Sequence, residues 1–211
     1  MYRILQLVLL FASSSVLGQY SVSTIDGNWL NKAPLVIRNH EVSLTEISET
    51  ELLYAHKQVI TVLKESGRSD AGFFEIYEEG EKVKFQSMQV YDGTGKLIKK
   101  YKNGVESDVP FIGGSNFVED PRRIKKLSPP EVPVPFTVEI QWEKRVPKSL
   151  FLPKWFPSIS EDAYCESATF KATLSDGFPI LWSSSNLSFD SIKTKEGSLR
   201  TRKLMRYETD C

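Results

Sequence analysis

Four apolar side chains stand at every second position, Phe136, Val138, Ile140 and Trp142, with Thr137, Glu139, Gln141 and Glu143 between them. No other feature constrains this chain as strongly. Successive side chains of a strand point to opposite faces, so the segment reads as a strand with one dry and one wet face. A second alternating strand places Ala168, Phe170, Ala172 and Leu174 on one side and Ser167, Thr169, Lys171 and Thr173 on the other. Phe136, Val138, Ile140, Trp142, Ala168, Phe170 and Leu174 are expected to share one core. By the same parity Cys165 falls on the polar side, near solvent.

The rest of the chain follows the same rhythm. Strand signals dominate from Val36, with Val42, Leu44 and Ile47 spaced through polar residues. Leu52–Leu63 is long, rich in β-branched residues toward its end, and stops at Ser66-Gly67. Phe73–Tyr77 leads through Glu79-Gly80 into Lys82–Tyr91, and Asp92-Gly93-Thr94-Gly95 turns the chain into Lys96–Tyr101. Asp26-Gly27-Asn28-Trp29 reads as a turn or short irregular piece. Residues 103–133 carry Gly104, Gly113, Gly114 and five prolines with little periodicity, the mark of a long crossing loop. Within it Ser128–Pro135 is expected to be extended. Many short strands with turns between them argue an all-β, antiparallel sandwich.

The first residues read as an address. Met1-Tyr2-Arg3 is a short basic start, Ile4–Ala12 is apolar, Ser13-Ser14-Ser15 follows, and Val16-Leu17-Gly18 suits a cut before Gln19. The apolar run is about half of the roughly 20 residues that a bilayer span requires. The expectation is a cleaved signal over residues 1–18, a lead-in over 19–34 and a β-sandwich domain over 35–211. The protein is then exported, periplasmic or extracellular, with no transmembrane segment in the mature chain. Export permits a bridge between Cys165 and Cys211, although spacing alone does not bring the two Cα atoms within range, and the alternative is two unpaired thiols.

Composition narrows the function classes. Lys+Arg and Asp+Glu both number 27, so no global field recruits nucleic acid or an anionic membrane. Two cysteines and two histidines exclude a multi-zinc module. Gly93-Thr94-Gly95-Lys96 lacks the second glycine, the Ser or Thr and the helix of a phosphate loop, and reads as a hairpin turn. His40 and His56, the only histidines, sit in no recognisable catalytic context and read as surface or strand residues. The basic runs Arg122-Arg123-Ile124-Lys125-Lys126 and Arg200–Arg206 read as solvated edges, or as a binding surface. Phe151–Pro157, with Trp155 and Phe156, reads as a corner of the sandwich or as an exposed aromatic patch for sugars or peptides. Asn186-Leu187-Ser188 fits the glycosylation pattern, relevant only in a eukaryotic host.

Several segments taken in order resemble a family. They are Val62–Gly67, Val90–Leu97, Leu127-Ser128-Pro129-Pro130-Glu131, Pro135–Ile140, Ser149–Pro157 and Glu166–Phe170. Together they resemble the bacterial domain of unknown function, family 3857, found mainly in exported Bacteroidetes-type proteins and commonly before a transglutaminase-like domain. The resemblance covers roughly residues 40–211. It implies an immunoglobulin-like β-sandwich and brings no catalytic residue. Cys165 stands where the family suggests an aliphatic residue. The hairpin of Ile192–Lys195 and Leu199–Tyr207 stops before the usual junction, so the chain is expected to be a free-standing short member or a truncated one. The functional expectation is a non-catalytic exported module that binds or positions a protein, peptide or glycan in the envelope, with no cofactor and no metal. A partner surface would include Trp155, Phe156, Arg122 and Arg123. The alternative is a cysteine- or serine-dependent hydrolase or acyltransferase, or the N-terminal part of a transglutaminase-like protein.

Overall fold

The structure is a computed structural model that describes residues 19–111, 121–149, 155–156, 163–174, 190–193 and 199–202. The expected signal over 1–18 therefore lies outside the described residues, as do Cys211, Asn186 and most of the segment around Trp155.

Six strands and a short seventh form the large sheet. They are β1 (Leu35–Glu46), β2 (Glu51–Val62), β4 (Lys82–Asp92), β5 (Leu97–Lys102), β8 (Phe136–Pro147), β9 (Tyr164–Cys165) and β10 (Ala168–Thr173). Their order is β10-β1-β2-β8-β4-β5, with β9 also beside β1. A three-stranded sheet is built from β3 (Phe73–Tyr77), β7 (Arg123–Leu127) and β6 (Ser107–Pro110), with β7 central. β11 (Asp190–Lys193) and β12 (Leu199–Arg202) make the expected terminal hairpin. The region read as one crossing loop thus supplies two strands. Neither β6 nor β7 has an apolar alternation to announce it; β7 is held by pairing with β3, and β6 by pairing with β7.

The all-β class and the sandwich-like layering are present. Pairing is antiparallel except along β1, which β9 and β10 join in parallel. A parallel neighbour requires a long crossover, and the chain between β8 and β9 provides it. The small sheet lies on one face of the large sheet, where Phe73 packs 5.0 Å from Phe85 and 5.6 Å from Trp142.

The alternating face of β8 is buried as read: Phe136, Val138, Ile140 and Trp142 join one core cluster together with Ala168. Phe170 and Leu174 instead belong to a second cluster, with Val42, Leu44, Leu52 and Tyr54. Trp155 packs against both clusters. The expected single core is therefore two.

The opposite face of β8 is not wet. Thr137 is wholly buried and Glu139 nearly so. The lead-in covers Glu139, where the Tyr20 hydroxyl bonds its carboxylate, Tyr20 and Ser21 are buried, and Val22 N donates to Gly93 O at 3.0 Å; Thr137 pairs through its hydroxyl with Thr61 at 2.8 Å. Asp26-Gly27-Asn28-Trp29 does not form an irregular piece. Asp26 caps a short helix α1 (Gly27–Lys32) by accepting from Asn28 N, the usual role of an N-cap aspartate. Ile25, Ala33 and Val36 form a small third cluster beneath that helix.

Cys165 is buried in the main core, not near solvent. Alternation does not carry from Ala168 back to Cys165, because two irregularities coincide. β1 bulges between Ile37 and Asn39, and the partner strand breaks at Glu166-Ser167 opposite. An extra residue reverses the inside–outside alternation, so Leu35 and Ile37 point inward before the bulge and His40, Val42 and Leu44 after it. Cys165 is in register with Ile37, Ala168 with His40. Arg38, at the bulge, donates through Nε to Glu166 Oε2 at 2.6 Å and pins the two irregularities together.

The turns behave as read. Asp92 Oδ1 accepts from Thr94 N, Thr94 Oγ1 and Lys96 N, and Gly95 takes a positive φ of 85°. Gly93–Lys96 is a hairpin turn, not a phosphate loop.

Candidate functional site

The inward face of β2 reads Leu52, Tyr54, His56, Gln58, Ile60 and Val62. Its ends belong to the two core clusters. Its middle is polar, and a seam of polar and aromatic side chains runs there between the clusters. Gln58 faces His40 across β1, and His56 faces Trp142 across β8. His40 is buried, with its ring 5.8 Å from Trp155. The histidines are thus strand residues turned inward, not surface ones. The His56 ring stacks on Trp142 at 4.5 Å with 8° between planes, and Tyr54 lies 6.3 Å from His56 on a roughly parallel plane.

The small sheet completes the seam. Trp142 Nε1 donates to Glu75 Oε2 at 3.0 Å. Lys144 Nζ lies 3.4 Å from Glu75 Oε1 and 3.0 Å from Glu81 Oε2, and donates to Ile76 O at 2.8 Å. Burial raises the Glu75 carboxyl, against the opposing pull of Lys144 and Trp142. Burial also pulls the His56 imidazole down to about 3, and the charges of His40 and Lys144 push the same way. His56 is thereby held neutral, with Nδ1 enclosed and without a hydrogen-bond partner among the described residues; the Tyr54 hydroxyl is likewise unpartnered, and burial raises its pKa.

Beside this seam a cavity of about 360 Å³ opens between the large sheet and the 3-10 helical turn of Glu65–Ala71 that precedes β3. Gln58, Ser69, Asp70, Phe73, Phe74 and Trp142 line it. Gln58 is 6% exposed, and its amide makes no hydrogen bond among the described residues. Asp70 is half-buried, and its carboxylate accepts only a long 3.4 Å bond from Ser69 Oγ.

The residues singled out from sequence lie elsewhere and apart. Trp155 is half-buried between His40 and Phe170, whose rings are 5.8 and 5.7 Å away, and its Nε1 has no partner among the described residues. Phe156 beside it is 66% exposed. Arg122 and Arg123 flank the other sheet. The Arg122 guanidinium lies over the Phe111 ring at 4.3 Å, and Arg123 Nε donates to Asp108 Oδ1 at 2.9 Å. No contact among the described residues joins the two pairs. Cys165 belongs to neither. Burial pushes its thiol up to about 11, a backbone hydrogen bond at Ser167 opposes this, and the Glu166 charge adds to it. Three rungs of β1, about 10 Å of strand, separate its partner Ile37 from His40. The described residues contain no group of three or more His, Cys, Asp or Glu suited to a metal.

Sequence reasoning passed over Tyr54 and Gln58, and read His56 only as a surface or strand histidine. The available signal was their parity: three polar or amphipathic residues on the dry face of an otherwise apolar strand are buried and need partners.

A known structure shares this architecture, and others align more weakly. A Parabacteroides distasonis protein, provisionally described as a protease, is similar over 82% of this chain and 35% of its own, with a TM-score of 0.65 and 10% identity. An M1 zinc metallopeptidase from Deinococcus radiodurans aligns over 82% of this chain and 39% of its own, with a TM-score of 0.36 and 13% identity. Aminopeptidase A of Legionella pneumophila aligns over 88% and 21%, with a TM-score of 0.33 and 14% identity. At 10% identity the Parabacteroides likeness shows a common fold and nothing about chemistry, and this chain spans about a third of that protein's length. No curated protein matches the chain at a significant level. The sequence model of the Domain of Unknown Function family DUF3857 matches residues 51–206. With some three quarters of its length matched, the chain belongs to the DUF3857 family.

Proposed function

We propose that this chain is an exported, non-catalytic β-sandwich module that binds or positions a partner in the cell envelope. The observation that carries the reading is strand β5. It ends the large sheet, and its outer side is unpaired among the described residues. An open edge presents backbone N–H and C=O groups to an incoming segment. On β5, Leu97 and Ile98 are each 46% exposed, and Lys99, Lys100 and Lys102 share the strand with them. Edge lysines discourage self-pairing while favouring an extended acidic partner.

Cys165 supports the non-catalytic part of the proposal. A nucleophilic thiol gains from a lowered pKa and from access to solvent, and this one is raised and enclosed. The Parabacteroides likeness, over a third of a longer protein, supports an accessory role beside another domain; the family resemblance suggests a transglutaminase-like unit as one such neighbour.

The test is photocrosslinking in the exporting cell from a benzoylphenylalanine at position 98, with position 49 as an exposed control away from the edge. The expected result is a discrete adduct in the envelope fraction from position 98 alone. Equal labelling from both positions would reject the edge as the docking element. Turnover of a peptide, ester or acyl-amide substrate that Cys165→Ser abolishes would reject the non-catalytic reading.

A further inference from the structure

We infer that the cavity between β2, β8 and the turn before β3 is a binding site for a primary ammonium group on an aliphatic arm, such as a lysine side chain or an alkylamine. The inference goes beyond the edge-strand reading and rests on a different part of the fold.

Two observations point to a ligand. Gln58 is more than nine-tenths buried, lines the cavity, and leaves its amide without a hydrogen bond among the described residues. The amide is not sealed off as His56 Nδ1 and the Tyr54 hydroxyl are: it keeps contact with the cavity, the space from which a partner must come. Asp70 is the one charged residue in the lining, and among the described residues it has no cation beside it. Nearby cations are committed: Arg68 to Glu65, Pro130 O and Val132 O, and Lys144 to Glu75 and Glu81.

The polar groups available are the Asp70 carboxylate, which only accepts, and the Ser69 hydroxyl and Gln58 amide, which accept through oxygen and also carry donors; the one formal charge among them is negative. An ammonium has three donors and no acceptor, and its bond to a carboxylate is of the strong charge-assisted kind. Phe73 and Trp142 supply aromatic walls, which suit both a cation and the methylenes behind it. An anion would meet Asp70 with no compensating charge. A neutral sugar would leave that carboxylate uncompensated.

The purified full chain is titrated with Nα-acetyl-lysine N-methylamide while the Gln58 side-chain amide is followed in 1H–15N spectra. The expected result is a saturable shift of that resonance with a dissociation constant on the order of 1 mM, the scale of a few weak contacts. Asp70→Asn is expected to weaken the binding about tenfold or more. The norleucine analogue, with the same arm length and no charge, is expected to leave the resonance in place. No shift with the amine, an equal shift with the norleucine analogue, tighter binding of N-acetylglucosamine, or unchanged affinity in Asp70→Asn would each overturn the inference. Failure here leaves the β5 edge untouched, because none of these arms reports on position 98.

Discussion

The imidazole of His56 lies flat on the indole of Trp142, 4.5 Å away and 8° from parallel. The two residues are cross-strand partners in adjacent central strands of the large sheet. Burial depresses the folded-state pKa of His56 to about 3 from 6.5. Between those values the unfolded chain binds a proton that the folded chain refuses. Stability from this group is thus fully present above about pH 6.5 and is lost as pH falls toward 3. At pH 5 the loss is about 2 kcal/mol, from 1.36 kcal/mol per unit of pKa difference. Glu75, whose pKa burial raises, opposes part of this trend. The check is the denaturant midpoint of the wild type and of His56→Phe at pH 7 and pH 5. The variant is expected to show the smaller acid-induced drop, and parallel pH curves would contradict the assignment.

Val138 has no exposed surface and stands in the main cluster on β8, between β2 and β4. Val138→Asp places a carboxylate there without a partner, at a cost of about 3–5 kcal/mol. Urea unfolding followed by far-ultraviolet circular dichroism measures the effect. An unchanged melting temperature would show that this face is not the core.

Tyr20 donates its hydroxyl hydrogen to Glu139 Oε2 at 2.5 Å on the opposite face of the sheet, and its ring meets Tyr91 edge-on at 5.0 Å. Glu139 also accepts from Gln141 Nε2 at 2.7 Å and lies 3.5 Å from Lys57 Nζ. Tyr20→Phe keeps the ring and removes the bond to a buried carboxylate, so a loss of about 1–3 kcal/mol is expected. Tyr20→Phe combined with Glu139→Gln should be less destabilising than the sum of the single changes, a double-mutant cycle that isolates the pair. Strict additivity would mean that the contact contributes nothing.

The Cys165 thiol, raised to about 11, is expected to react slowly with Ellman-type reagents at pH 7–8 in the folded protein and at an ordinary rate after unfolding. Peptide mapping after timed alkylation separates it from Cys211. Fast native labelling at mildly acidic pH, lost in His56→Ala, would mark Cys165 as an activated nucleophile.

The sequence by itself determined the class of fold and the identity of its strongest strand. The alternation at Phe136, Val138, Ile140 and Trp142 places those four side chains on one face whatever surrounds them, because side-chain direction in a strand is a local property. The turn at Asp92–Gly95 was legible for the same reason: an aspartate accepting from the next residues and a glycine at positive φ are local requirements. What covers the opposite face was not local. Thr137 and Glu139 read as wet residues, yet Thr137 is buried against Thr61 of β2, and Tyr20 of the lead-in, more than a hundred positions earlier, closes over Glu139. Parity also fails across an extra residue. The bulge at Arg38 and the break at Glu166 reverse the alternation together, so the side on which Cys165 lies was settled by pairing between two distant segments. The cavity depends on the same kind of event. Gln58 comes from β2, Trp142 from β8 and Asp70 from a turn, and only the docking of the small sheet on the large one gathers them, since no spacing along the chain encodes a distance between separate strands.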